Sequence, residues 1–112
     1  LSNCQNKVER GQGVGFCAIE DSEPIGCVYA TVNGLDQKAF ITSVYVKEQH
    51  RGAGIGKQLV QFLLDELTKR AILDVGLAVT ATNEPALKLY ESFGFEVRRH
   101  IMQRLTKPGG TV

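Results

Sequence analysis

Between Val46 and Ile55 the chain changes its hydrophobic period, and a glycine-rich stretch, RGAGIGK from Arg51 to Lys57, stands at the change. Upstream, apolar residues come in short runs rich in β-branched and aromatic side chains. Downstream, Ile55, Leu59, Phe62, Leu63 and Leu67 recur at three- and four-residue steps, which makes one apolar face of a helix. A strand, a glycine turn and a helix in that order narrow the folds open to the chain. They also raise a chemical question, because the free N–H groups and the dipole at a helix amino terminus favour an anion. Glycines there let phosphate oxygens approach the backbone, or they only permit a tight connection. Both readings stand at this point.

The flanking elements follow from local signals. Residues 13–19 and 25–32 read as strands separated by the turn-forming EDSEP, and Asn33-Gly34 opens a loop before a third strand, KAFITSVYV, that ends at Val46. The three make an antiparallel meander. The helix after the glycines is expected to end near Arg70, with Asp65–Lys69 and Glu66–Arg70 as i,i+4 pairs on its solvated side. Residues 71–79 read as a strand. TNEPALKLYESFG then reads as a short helix with Asn83 as cap, Pro85 in the first turn and Gly94 as stop, its apolar face formed by Ala86, Leu89, Tyr90 and Phe93. FEVRRHIMQRL is expected to run as one long strand, after which residues 106–112 form a disordered tail.

Size and charge exclude several classes. A chain of 112 residues that is 43% apolar can bury roughly two thirds of its unfolded surface, enough for one core. One domain over residues 1–112 is expected, with 1–12 as a leading segment. Thirteen basic and twelve acidic residues leave a net charge of +1, which argues against nucleic acid or an anionic membrane as the main partner. Neither a membrane span nor a signal peptide is visible. Cys4, Cys17 and Cys27 lack CxxC spacing and read as reduced thiols of a cytoplasmic protein. No metal site is implied.

Two familiar phosphate loops fail against the glycine stretch. A Walker A loop would need glycine where Arg51 stands and a hydroxyl where Gln58 stands, and a dinucleotide fingerprint would need glycine at Lys57. What the stretch does match is [Q/R]xxGx[G/A], here Arg51-Gly52-Ala53-Gly54-Ile55-Gly56, after a strand ending in VYV, with NEPALKLYESFGF some thirty residues on. Together these resemble the GNAT superfamily of acetyl-CoA-dependent N-acetyltransferases over roughly Gly13 to Leu105. The resemblance implies an α+β fold, the meander followed by a β-α-β-α-β core with a central parallel strand pair, and with the opening strand and helices absent or truncated.

The same resemblance implies roles. The backbone of Val44, Tyr45 and Val46 would pair with the pantetheine arm of acetyl-CoA like an added strand. Gly52, Ala53, Gly54, Ile55 and Gly56 would hold the pyrophosphate, with Lys57 adding an N–H or a charge. Arg51 is either a phosphate contact or an ordinary solvated arginine. Asn83 would help hold the cofactor arm and also cap its helix, and Tyr90 would be the general acid for the departing thiolate. No general base is assigned, because Ala78 and Phe40 occupy positions where relatives can carry glutamate, while Glu48 and His50 fall in the loop. The implied activity is direct acetyl transfer to a primary amine of unidentified nature. Its alternatives are another acyl group, a hydroxyl acceptor, or a non-catalytic or fragmentary coenzyme A-binding module. A homodimer or a missing amino-terminal segment is expected to cover the exposed strand edge.

Overall fold

A computed structural model describes residues 4–10, as backbone, and 12–106. It has two compact units, one up to Thr80 and one from Ala81 onward. The first is a five-stranded sheet in sequence order, β1 (Cys4–Arg10), β2 (Gly13–Glu20), β3 (Glu23–Asn33), β4 (Lys38–Val46) and β5 (Asp74–Leu77), with helix α1 (Ile55–Lys69) between β4 and β5. The first four strands are antiparallel neighbours, and β5 runs parallel to β4.

Local chemistry explains the turns. Glu20 faces Glu23, so only Asp21 and Ser22 close the β2–β3 hairpin, and both have left-handed backbone, φ 51 and 63. That is the combination a two-residue type I′ turn demands. The next loop is organised by Asn33, whose side-chain oxygen accepts the N–H groups of Leu35 and Asp36. On the sheet face away from α1, the Tyr29 ring lies over Gly13 and Gly15. A Cβ on Gly13 would meet the Tyr29 hydroxyl at 1.7 Å.

α1 lies against β2, β3 and β4. Its buried residues are Ile55, Leu59, Val60, Leu63 and Leu67, and they meet a sheet face carrying Val14, Ala18, Ile25, Val28, Ala30, Ala39 and Ile41. Phe62, expected in that stripe, stays 39% exposed at the rim, its ring 6.0 Å from that of Phe16. Val60 takes the inner place because the sheet reaches further round the helix than a narrow stripe. Glu66–Arg70 forms as expected at 2.9 Å, whereas Asp65 accepts instead from Gln61 at 2.8 Å.

Three further expectations are corrected. The leading segment contributes β1, an edge strand whose sequence, CQNKVER, has no apolar alternation and takes its conformation from pairing with β2. The strand expected over 71–79 is only Asp74–Leu77, because the turn closing α1 consumes Ala71 and Ile72. Residues 95–106 form no strand, and Val97, Ile101, Met102 and Leu105 are exposed. An extended apolar pattern does not become a strand without a neighbouring ladder to join. Of the tail, residues 107–112 lie outside the described residues.

The second unit centres on α2 (Glu84–Ser92). Asn83 caps it by accepting the Ala86 N–H at 3.3 Å, and Gly94, at φ 92, ends it. The N–H of Phe95 reaches back to the Tyr90 carbonyl at 3.1 Å, and the two rings meet edge to face, centroids 5.8 Å apart. This is a Schellman closure with its hydrophobic contact.

α1 closes the same way, with the Ile72 N–H on the Leu67 carbonyl at 2.9 Å, but its left-handed residue is Ala71, φ 61. An L-residue there costs roughly 1–2 kcal/mol. Ala71→Gly should therefore raise stability by about 1 kcal/mol in urea unfolding, despite the helix penalty glycine carries elsewhere. A loss of stability would contradict the strain at this position.

Candidate active site

The site begins at a change of partner along β4. Lys47 donates its N–H to the Ile25 carbonyl, and the register runs from Gly26 opposite Val46 to Tyr29 opposite Ser43. Hydrogen-bonded and non-hydrogen-bonded pairs alternate in an antiparallel ladder. Tyr45 and Ser43 thus turn their backbone groups toward β3, and Val44 and Val46 turn theirs to the opposite edge. β5 pairs with that edge only through Ile41, opposite Leu77. Past Ile41 no strand among the described residues covers it. A bulge at Thr42, where the register with β3 slips, bends β4 at the point where β5 leaves it. The open edge can accept an extended amide chain by main-chain pairing.

The strand end is tied to the loop that follows. Arg51 donates its Nε to the Val46 carbonyl at 2.9 Å, so one of the two valines offers its groups less freely than Val44. Arg51, read from sequence as either a phosphate contact or a solvated arginine, has this part of its fork committed to the backbone. Gly52 and Gly54 both have left-handed backbone, φ 85 and 83, and a Cβ at either would meet nothing within 4 Å. Their conformation demands glycine, and the space in front of them is empty of protein.

Gly54 is the N-cap of α1, with no side chain bonded to the cap. The first intrahelical bond is from the Gln58 N–H to the Gly54 carbonyl, 3.0 Å. The N–H groups of Ile55, Gly56 and Lys57 therefore lack helical partners. The first turn holds no acidic residue, so nothing there competes with an anion for the positive end of this 15-residue helix. Ala53 and Lys57 are exposed beside it, and Ile55 is buried, anchoring the turn in the core. These features fit a pyrophosphate.

Charged groups near the loop pair among themselves. Lys47 bonds Glu23, which holds that carboxyl below the ordinary range. His50, in a short 3₁₀ turn from Glu48 to His50, lies 3.4 Å from Glu20. Phe40 covers Gly76 on the neighbouring strand, where a Cβ would come 3.3 Å from its ring, and Ala78 is exposed after β5 ends. Neither supplies a carboxylate. Among the described residues, no group of three His, Cys, Asp or Glu side chains could hold a metal ion, and no helix is long and apolar enough to cross a membrane.

Asn83 and Tyr90 share α2 in the second unit. Tyr90 is buried, and burial raises its phenol above the ordinary value. It therefore holds its proton throughout the neutral range.

The acetyltransferase (GNAT) family profile matches residues 3–95, most of the chain and every feature just described except the final segment. The chain belongs to the GNAT family. Among curated members, it is 38% identical over 58 residues to the [ribosomal protein bS18]-alanine N-acetyltransferase of Escherichia coli, a match covering 52% of this chain and 39% of that protein. The crystal structure of the Escherichia coli ribosomal-protein-S18-alanine N-acetyltransferase superposes with a TM-score of 0.76 at 26% identity, over 81% of this chain and 57% of the other. The PaiA N-acetyltransferase of Thermoplasma acidophilum, solved in complex with coenzyme A, gives 0.71 at 26% identity, over 78% and 54%. The chain thus spans about two fifths of the curated relative's length. Two features of the site escaped the sequence reading, the bulge at Thr42 and the Arg51 tether to Val46. The bulge leaves no local signal, since it is a slip of register against β3, and the tether is a side-chain orientation that residue type alone does not fix.

The two kinds of loop glycine should separate by mutation. Gly54→Ala, at positive φ, should cost roughly 1–2 kcal/mol, whereas Gly56→Ala, with its Cβ 3.5 Å from Val46 Cγ2, should cost nothing. Equal urea midpoints for the two variants would contradict this. Alkali offers a second check. A phenol raised by burial contributes stability that is whole below its unfolded value, about 10, and is lost as pH climbs through the folded value. Tyr90→Phe should flatten the alkaline limb of the stability curve.

Proposed function

We propose that this protein is an acetyl-CoA-dependent N-acetyltransferase acting directly on a primary amine, with an α-amino group as the preferred acceptor class. The observation that carries the reading is one unit holding, in succession, an open β4 edge at Val44, two glycines at positive φ and an uncapped helix amino terminus. An amide-bearing arm and a pyrophosphate are what such a succession fits. Val44 and, through its N–H, Val46 would bind the arm. Gly52 to Lys57 would bind the pyrophosphate, Arg51 holding the loop against the strand. Asn83, besides capping α2, is assigned to the arm, and Tyr90 to protonation of the thiolate, on their places in the second motif.

The reaction is balanced without a covalent enzyme adduct. The amine nitrogen bonds to the acetyl carbon, the carbon–sulfur bond breaks, and the proton lost by nitrogen ends on sulfur. The assigned positions include no carboxylate to take that proton, which favours an acceptor that is neutral on its own. An amine of pKa about 10.4 costs about 4.6 kcal/mol to deprotonate at pH 7, and an α-amino group near 7.8 costs only about 1.1. The alanine acceptor in the Escherichia coli relative's name supports the same class.

Release of free thiol from acetyl-CoA across α-amino peptides, lysine side chains, polyamines and aminoglycosides tests the activity. Acceptance of α-amino peptides is expected, and thiol release with none of the amines would overturn the proposal. For binding alone, acetyl-CoA at a hundredfold excess over its dissociation constant should add about 2.7 kcal/mol of stability, and ATP or NAD should not match it. Tyr90→Phe should lower kcat about a hundredfold with little change in acetyl-CoA affinity. With a lysine acceptor, turnover should keep rising beyond pH 8. A plateau near pH 7 would reveal a base.

A further inference from the structure

Cys17 on β2 stands opposite Cys27 on β3. Both are free thiols, their sulfurs 2.7 Å apart, and both are half-buried. The ladder decides what such a pair can do. Val32 donates its N–H to the Gln12 carbonyl, and in a register that places Gly13 opposite Thr31 this makes Gln12 and Val32 a hydrogen-bonded pair. Pair types alternate, and the register is unbroken as far as Ala18. Cys17 and Cys27, an odd number of steps further on, are therefore a non-hydrogen-bonded pair. Such pairs bring Cα atoms to about 4.5 Å, within the roughly 4.4–6.8 Å that a disulfide spans.

We propose that Cys17 and Cys27 are a thiol modification site, closing to an intramolecular cross-strand disulfide when the protein meets a hydroperoxide. No strand has to move, since the native register already places the two residues face to face. In the first step one sulfur attacks the terminal peroxide oxygen. The oxygen–oxygen bond breaks, a sulfenic acid forms, and the rest of the peroxide takes the thiol proton and leaves as an alcohol or water. In the second step the other sulfur attacks the sulfenic sulfur, the sulfur–oxygen bond breaks, and the departing hydroxide takes the second proton as water. Two thiols give up two electrons, and one peroxide gains them.

The order of attack follows from the surroundings. Burial first, and then the bond to and charge of Cys17, push the Cys27 thiol up to about 11, so Cys27 keeps its proton at neutral pH and Cys17 is the sulfur that meets the oxidant. Once Cys17 is a sulfenic acid its charge no longer acts on Cys27, but burial, the larger cause, still does, so the resolving attack rests on the two sulfurs already being 2.7 Å apart.

The test uses the full chain carrying Cys4→Ser, treated with hydrogen peroxide at neutral pH, alkylated and weighed without reductant. A monomer two hydrogens lighter is expected, with a peptide linking Cys17 to Cys27 and both thiols recovered by dithiothreitol. Cys27→Ser, or Cys27→Ala should the serine variant fail to fold, should stop at a sulfenic acid on Cys17 that dimedone traps. Full alkylation of both thiols after peroxide, disulfides only between molecules, or Cys17 passing to the sulfinic acid while Cys27 is present would each overturn the proposal.

Discussion

Everything at the candidate site depends on β4 being hydrogen-bonded along its length on one side and only part of the way on the other. A strand presents its backbone groups alternately to its two neighbours. β3 accompanies β4 from Lys38 to Val46, and β5 leaves after Ile41. Peptide groups left without a partner at a sheet edge are a liability in most proteins, because they invite another chain. Here the uncovered groups are those of Val44 and the N–H of Val46, where the strand meets the glycine loop, the Val46 carbonyl being taken by Arg51. The same unpaired backbone that would template aggregation offers directional bonds to an amide-bearing ligand, and the Thr42 bulge bends the strand where that exposure begins.

The loop depends on that strand end in turn. Left-handed backbone at Gly52 and Gly54 reverses the chain within a few residues, delivering it into α1 with three N–H groups unspent. Such a turn is conformationally free until something fixes it. Two things do: Ile55, buried in the core at the start of the helix, and Arg51, whose bond to the Val46 carbonyl ties the loop to the strand. The helix itself is held by Leu59, Leu63 and Leu67, each buried to 1% exposure or less, and truncating one of them would cost about 2–5 kcal/mol. The uncapped amino-terminal end of α1 is thus supported by packing several turns away.

Sequence made the punctuation legible and left the pairing hidden. The glycines, the Asn83 cap, the stop at Gly94 and the period of α1 are local chemistry, written within a few residues of where they act. β1, the early end of β5, the bulge at Thr42 and the unpaired run after Gly94 all depend on whether a neighbour is present, which no local window records. Phe62 stays at the rim of the face it was expected to fill, and Val60, which the period did not single out, is buried for a related reason, since a helix period gives a face and the sheet alone fixes its width. The Cys17–Cys27 pair and the Tyr29 ring over Gly13 and Gly15 are register facts. One residue of slip would have parted them. In the candidate site, the residue types were legible and the division of labour was not, as Arg51 illustrates.

Tyr90 limits what proton chemistry the proposed reaction can use. Its ring is held at the end of α2 by Phe95, and burial raises its phenol above an ordinary value of about 10. A thiolate has a pKa near 8.5, so handing it a proton from a phenol that burial has raised above its ordinary value is uphill. Such a group can stabilise charge growing on sulfur by hydrogen bonding, and it can protonate the sulfur provided that it recovers a proton in turn. That proton has to come from the attacking nitrogen, whose acidity rises sharply once it has bonded to the acetyl carbon. In this reading the phenol passes a proton rather than spending its own, and a carboxylate base becomes dispensable for any amine that arrives neutral.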